Sequence, residues 1–447
     1  MVSFYKPTKR KAKNVVSGPV RQQVVIDDWD WQGQGVVRGK PVMFVEGALP
    51  GEHCEVDVTQ AARQVAHGKL IRVDKQNSAR RDAFCPVAAE CGGCQLQHVD
   101  PDEALRLRQQ AINHKLLSVL PQSELNWCTP LTGQTPAYRR KARLAVDARR
   151  EGKVRVGFRA KRDNKVVNIE HCPVLETSLS ALISPLKQVL NLHGGARHIG
   201  HISLMAGDNV SQITLKATRP LATALTHALA ELAKDKGVNL LLENQNGDIT
   251  PLHKVEAVTC RVTENRYLKP QPNDFIQVNA AVNRAMVEQA LAWLAVKPGE
   301  KIADWFCGLG NFSLALADAG ATVQAVEGVA AMVQQGQQNA LEQGIDTIDW
   351  RHADLSNPQR LTDCLAFASD KVLLDPSREG AQAAAEALAQ HKVDCIVYVS
   401  CNPGTFIRDA AILAGGGYRI EKIGLVEMFP YTQHLEVMAL FTSDSLA

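Results

Sequence analysis

A chain of 447 residues, 45% of them hydrophobic, has room for roughly two to four domains and a substantial core, at about 100–200 residues per domain. It holds no apolar run of membrane-spanning length, and its opening, MVSFYKPTKRKAKNVVSG, lacks the apolar segment of a signal peptide, so a cytoplasmic protein is expected rather than a membrane-bound or secreted one. The net charge of +3 selects no partner by itself, and 11 cysteines in a reducing compartment point to metal binding, catalysis or burial rather than to a disulfide framework.

Residues 1–25 carry Lys6, Lys9, Arg10, Lys11, Lys13 and Arg21 with no acid, and residues 1–13 read as a basic tail. Residues 14–75 alternate short β-branched runs with turns at Gly33, Gly35, Gly39, Gly47, Pro50 and Gly51, a spacing that suits a small β-barrel. Residues 76–275 are mixed. They hold a cysteine cluster, an amphipathic helix near 102–119 that belongs either here or on the C-terminal sheet, a basic segment, and helical stretches at 174–191 and 219–236. The basic segment, 139–165, sets 12 Lys and Arg residues against Asp147, Glu151 and Asp163. One such run is often a solvated face, but two favour a nucleic acid, because each neutralised phosphate releases condensed counterions. From 276 to 447 the runs KIADWF, TVQAVE, DWRHAD, KVLLDP and CIVYVSC alternate with Ala-rich helical segments, the rhythm of an open, mostly parallel sheet.

Sites in such sheets lie beyond the carboxyl ends of the strands. DWFCGLGNF follows the first strand, and Gly308 and Gly310 allow a tight turn close to a ligand. Glu327 ends the next strand, where an acid accepts hydrogen bonds from ribose hydroxyls. The third glycine of a dinucleotide site is replaced by Ser313, and the acid Asp304 suits no pyrophosphate, so a nucleoside without phosphates, such as S-adenosylmethionine, is indicated. Asp354 and Asp375 end the following strands. Each alone also reads, less favourably, as a helix cap, but four acids on one edge argue for a site. Cys401 leaves the last of these runs into a Pro-Gly turn that presents its sulfur to the cleft, where positive charge or amide dipoles are expected to raise its thiolate fraction. Cys395 reads as an inert core residue. A methyl donor beside a nucleophilic thiol suits an acceptor carbon that must first be activated, as uracil C5 is by addition at C6.

Cys85, Cys91 and Cys94 lie within ten residues, with Gly92-Gly93 allowing a tight fold around a metal. The fourth ligand is either Cys172, whose Cys-Pro-Val repeats residues 85–87, or His98, with zinc as the metal. Cys54, Cys128, Cys260, Cys307 and Cys364 read as structural, with Cys307 close to the donor.

The stretches DWFCGLGNFSLALA, VEGV, LLDPSREG, YVSCNPGTFIRD and FPYTQHLEVMALF resemble the SAM-dependent RNA uracil-5-methyltransferases, over almost the whole chain. The resemblance implies an α/β fold: a Rossmann-like methyltransferase domain at 276–447, an N-terminal OB-type β-barrel (TRAM) at 14–75, and a mixed central iron-sulfur and RNA-binding domain at 76–275. It makes Cys401 the nucleophile and Glu436 the base for the C5 proton, with His434 as the rival base. It assigns the donor to Gln277, Phe306, Asn311, Glu327, Asp354 and Asp375. It places a [4Fe-4S] cluster on Cys85, Cys91, Cys94 and Cys172, shaping the RNA-binding domain rather than transferring electrons. Trp305 departs from the family's first motif but lies outside these positions. Barrel and cluster together resemble the branch that acts on 23S ribosomal RNA, so the expected partner is a flipped loop uridine of that RNA, met by a monomer; transfer RNA or another ribosomal RNA is the alternative. Two rivals remain: an iron-sulfur RNA-binding or redox-sensing protein without catalysis, and a cytosine-5 RNA methyltransferase, whose cysteine context the Ser-Cys-Asn-Pro stretch does not resemble.

Overall fold

The computed structural model describes residues 20–149 and 153–443, so the basic tail, with Arg150 and Glu151 of the basic segment, lies outside the described residues. The chain forms two compact units: residues up to Asp82 with Gln95–Ile112, and Ala83–Cys94 with everything from Asn113 onward.

The first unit is a six-stranded sheet, in spatial order Val20–Val25, His53–Ala61, Val65–Lys75, Val42–Glu46, Gln34–Val37, Asp28–Trp29. All neighbours are antiparallel except Val42–Glu46 with Val65–Lys75. Three register shifts between the two longest strands bend the sheet, around a core of Ile26, Val45, Ala48, Cys54 and Val56. Gly35 must be glycine, since a Cβ there would sit 2.9 Å from Ile26 and 3.1 Å from the Ala48 carbonyl. A second apolar cluster joins Trp29 and Leu49 to Leu96, Val99, Ala104 and Leu107. Arg80 grips the fully buried Glu52 with two arms of 2.6 Å each. Burial pushes the Glu52 carboxyl up, but Arg80 and the amides of Leu49 and Asn77 outweigh it and hold it below the usual range.

In the second unit a seven-stranded mixed sheet runs in the order Ile249–His253, Asn239–Glu243, Ser211–Ala217, Ile199–Ala206, Lys141–Asp147, Arg155–Arg159, Val166–Asn168. One apolar core is continuous from this sheet, through Leu144, Ile202 and Leu215, to a second sheet through Ile302, Val323 and Val397. The second sheet positions the site. Its strands are β1 (Lys301–Trp305), β2 (Thr322–Glu327), β3 (Ile348–His352), β4 (Lys371–Leu374), β5 (Cys395–Ser400), β6 (Tyr418–Val426) and β7 (Glu436–Ser443), in spatial order β3-β2-β1-β4-β5-β7-β6. Every neighbouring pair is parallel except the two that β7 makes, so β7 alone is reversed. Strands β4 and β5 are buried along their whole length, which is why they read as unbroken apolar runs. Trp305, at the end of β1, is core, with its indole donating to Gln324 at 3.2 Å.

Because Glu52 is buried and Arg80 nearly so, Arg80→Ala leaves an unpaired interior charge. A loss of about 3–5 kcal/mol is expected. Since the folded pKa is depressed, the pair's contribution is present above the ordinary carboxylate range and lost as pH falls below it. Urea unfolding at pH 7 and in acid measures both; an unchanged midpoint at pH 7 would mean that the pair does not hold the unit.

Candidate active site

The carboxyl ends of β1 to β5 form one edge, and the reversal of β7 puts its first residue, Glu436, on that same edge. The loop after β1 is held by β2: the amides of Phe306 and Cys307 donate to the Val326 carbonyl at 2.8 and 3.0 Å. Phe306 has a φ of +68°, unusual for a residue with a Cβ, and Gly308 and Gly310 stand at +58° and +92°. The Glu327 carboxylate accepts from the amides of Gly308, at 3.1 Å, and Val329, at 3.0 Å, tying the glycine loop to the end of β2. Beneath it Asp304 is fully buried; the Ser313 hydroxyl donates to one oxygen while the other has no partner. Burial pushes its carboxyl up to about 7.

The remaining donor candidates differ in character. Asn311 and Asn283 exchange two side-chain amide bonds of 2.9 Å each. Gln277 is buried with its Oε1 unpartnered, and its carbonyl accepts from Arg140 at 2.9 Å. Asp354 is exposed, and its carboxylate accepts from the amide and hydroxyl of Ser356 at 2.9 and 2.7 Å, which hold it below its ordinary range.

Cys401 follows β5 directly. Asn402 caps the helix Pro403–Gly415 by accepting from Gly404 at 3.0 Å, and its side-chain amide donates to the Arg378 carbonyl at 2.9 Å, so the turn that displays the thiol is fixed at both ends. Ser400 pairs with Val437 as the last pair of the antiparallel ladder, and Cys401 and Glu436 stand just beyond it, near enough for the Glu436 charge to act on the thiol. Glu436 is 4% exposed, its Oε2 has no partner, and burial pushes it up to about 7. The half-buried Asp375, just after β4, is raised well above the carboxylate range by burial and then by Glu436, Asp304 and Glu327. The Cys401 thiol is the correction to the expectation from sequence: burial, Glu436 and Asp375 push it up to about 11, and Arg378 and its own amide only partly offset them. Arg378, not singled out in the sequence although it stands in DPSREG, also lies against the His434 ring, 3.3 and 3.4 Å from its nitrogens.

The family model for tRNA (uracil-5-)-methyltransferase matches residues 114–443. The chain belongs to the tRNA (uracil-5-)-methyltransferase family. Relatives named 23S rRNA (uracil(1939)-C(5))-methyltransferase RlmD are 49% identical in Alteromonas naphthalenivorans, over 99% of each chain, and 39% identical in Shewanella sediminis, over 99% of this chain and 100% of that one. The fold matches the Pyrococcus abyssi tRNA (uracil-54, C5)-methyltransferase solved with S-adenosyl-L-homocysteine, with a TM-score of 0.72 at 22% identity, covering 94% of this chain and 100% of that one. As an enzyme of this family the protein is a SAM-dependent RNA uracil-5-methyltransferase.

Cys85, Cys91, Cys94 and Cys172 share one corner of the second unit. Cys91 and Cys172 lie in the same core and Cys94 packs against it. Cys85 lies within electrostatic reach of both Cys91 and Cys172. The Gly93 amide donates to the Cys91 sulfur at 3.4 Å, and the amides of Val174 and Leu175 reach Cys172. A Cβ on Gly92 would sit 2.9 Å from the Arg159 carbonyl. Soft thiols met by backbone N–H groups suit an iron-sulfur group in donor type. Among the described residues no group of three or more His, Cys, Asp or Glu side chains is placed to hold a metal ion. Of the other cysteines, Cys54, Cys260, Cys307, Cys364 and Cys395 are buried and Cys128 is half-buried.

The basic segment is not a uniform stripe. Arg140 is buried, and Arg149 is occupied by Asp147 at 2.7 and 2.8 Å. Arg139, Lys141 and Arg143 instead line a cleft of about 510 Å³ with Lys216, Phe275 and Phe429. Between Val20 and Lys75 seven Lys and Arg face eight Asp and Glu, so the strands of the first unit bring no net positive charge. No helix among the described residues is long and apolar enough to cross a membrane.

The raised Glu436 carboxyl has a stability consequence. Its folded pKa, about 7, lies above the ordinary 4.5, so the folded state gives up stability as pH rises through that window and stays lower above it. Glu436→Gln removes the titration and is expected to be more stable than the parent at pH 8 by about 2–3 kcal/mol, a difference that vanishes below the ordinary carboxylate range. Thermal or urea unfolding across pH 4–8 reads this; a gap that does not change with pH contradicts it.

Proposed function

We propose that this protein methylates C5 of a uridine in 23S ribosomal RNA, with Cys401 as nucleophile and Glu436 as base. The observation that carries the reading is a thiol placed within electrostatic reach of an unpartnered, near-neutral carboxyl at the end of the β5–β7 ladder. The RNA class rests on the relatives, named for 23S rRNA over the full length of the chain. The RNA is taken to lie along the cleft of Arg139, Lys141 and Arg143, with the target uridine flipped out so that its ring reaches the strand edge.

Cys401 gives up its proton to solvent water and its sulfur bonds to C6, pushing the C5–C6 π electrons into the ring as an enolate. S-adenosylmethionine supplies, when bound, an electrophilic methyl group on a cationic sulfur. After C5 has gained the methyl group, Glu436 takes the C5 proton, the C5–C6 double bond re-forms and the bond to the Cys401 sulfur breaks, freeing the thiolate. A pKa near 7 suits Glu436 to that task at neutral pH. Arg378 lies against the His434 ring, whereas Glu436 acts directly on the thiol. Glu327 is suited to ribose hydroxyls, Gln277 offers a buried unpartnered oxygen, and Phe306, Asn311, Asp354 and Asp375 complete the proposed donor site. Asp304, unassigned from the sequence, adds a second unpartnered oxygen beneath the loop. Acids held partly neutral by burial favour a cation over an anion beside them, which supports a sulfonium donor.

We assign a [4Fe-4S] cluster to Cys85, Cys91, Cys94 and Cys172, where it would tie the 85–94 loop to residue 172 as a structural link. The shared corner and the N–H groups on Cys91 and Cys172 support this.

Ribosomal RNA carrying 5-fluorouracil tests the chemistry, because fluorine cannot leave C5 as a proton. With S-adenosylmethionine present, a covalent protein–RNA band is expected on a denaturing gel, absent in Cys401→Ala; Glu436→Gln should give the same band with ordinary uridine. RNA binding without any adduct would rule out the thiol as nucleophile. Cys172→Ser is expected to lower the iron and acid-labile sulfide content of protein purified without oxygen; equal content would remove Cys172 from the ligands.

A further inference from the structure

We infer that Tyr138 is a positioning residue for Glu436, a strut joining the four-cysteine corner to the loop that carries the base. This rests on reading Glu436 as the base.

Glu436 cannot aim itself, since its Oε2 has no partner; its position is set by how the backbone enters β7. The preceding loop, residues 427–435, is stiffened by Thr432, whose hydroxyl donates to the Phe429 carbonyl at 2.9 Å and accepts from the His434 amide at 3.2 Å. The tip of that loop is held from outside. Tyr138, 6% exposed, donates its hydroxyl to the Pro430 carbonyl at 3.0 Å. The Arg139 guanidinium lies 5.9 Å over the Phe429 ring, which in turn meets His434 edge-on at 5.5 Å. Phe84, next to Cys85, meets Tyr431 edge-on at 5.0 Å.

The other side of the strut runs to the cysteines. The amides of Ala137 and Arg139 donate to the carbonyls of Pro173 and Val174 at 2.9 Å each, and these two residues directly follow Cys172. Cys94 lies within electrostatic reach of Tyr138. Both ends of the strut carry a non-glycine residue in the left-handed region, Ala137 and Tyr431, each at φ +66°. Such conformations persist only where the surroundings over-determine them. An ordered cysteine corner therefore holds residues 137–139, and these hold the loop before the base. The step governed is proton removal and release, not thiol addition, because the turn that carries Cys401 is held by Asn402, through the Gly404 amide and the Arg378 carbonyl, and not by the 427–435 loop.

Tyr138→Phe deletes only the hydroxyl. In full-length protein, trapping on 5-fluorouracil RNA, which needs addition and methyl transfer but no proton removal, is expected to stay within about twofold of the parent, while turnover on uridine RNA falls about tenfold. The methylated covalent complex should accumulate, and Phe84→Ala should act in the same direction. Hydrogen exchange should show amides of 428–434 losing protection in Tyr138→Phe and in Cys172→Ser, with the helix Pro403–Gly415 unchanged. Unchanged turnover, or trapping slowed as much as turnover, overturns the strut. Failure of the parent protein to trap RNA strikes the nucleophile reading instead; the exchange result still decides whether Tyr138 anchors the loop.

Discussion

The antiparallel ladder between β5 and β7 is the constraint on which the site depends. Six residue pairs, from Cys395 with Thr442 to Ser400 with Val437, fix the register. Strand side chains alternate faces, so a slip of one residue would turn Glu436 away from the thiol and drive the buried set Val437, Met438, Ala439 and Phe441 out of its packing. The same apolar contacts that stabilise the sheet thus set the geometry of the reacting pair. The reversal of β7 matters equally, since a parallel last strand would bring its carboxyl end to the edge and leave Glu436 at the far side of the sheet.

The edge is electrostatically costly in the free protein. Asp304, Asp375 and Glu436 are all raised, chiefly by burial, and Asp375 is raised further by its neighbours. Among the described residues none of them meets a cation in an ion pair, whereas the fully buried Glu52 of the first unit is matched by Arg80 and sits low. The contrast separates two uses of a buried carboxyl. Glu52 is satisfied and structural, while Asp304 and Glu436 keep unpartnered oxygens, a strain that local stability alone would not retain.

Much of this was legible because strands buried on both faces read as unbroken apolar runs and their ends can be counted. That placed Glu327, Asp375 and Cys401 at one edge. Other features needed three dimensions. That the last strand is reversed leaves no mark on its composition. The first unit recruits Gln95–Ile112 through contacts that chain order hides, with Leu96 and Val99 packed on Trp29. Arg140 and Arg143 look alike in a basic run, yet one is buried and the other lines the cleft. The raised Cys401 thiol is invisible in the sequence because the two acids beside it arrive from separate strands, β4 and β7, far from it in the chain.

The unpartnered oxygen of Glu436 and the external anchoring of its loop belong to one argument. A donor placed on the Glu436 carboxylate would orient it, but a hydrogen bond to the charged form also lowers its pKa and weakens it as a base. A carboxyl kept near 7 by burial retains its proton affinity only if nothing else binds it. Its aim must then come from the backbone, and the backbone before it is gripped at Phe429, Pro430 and Tyr431 by residues that touch no reacting atom. Orientation without a direct hydrogen bond is therefore obtained by moving the contacts outward, to Tyr138 and the cysteine corner behind it.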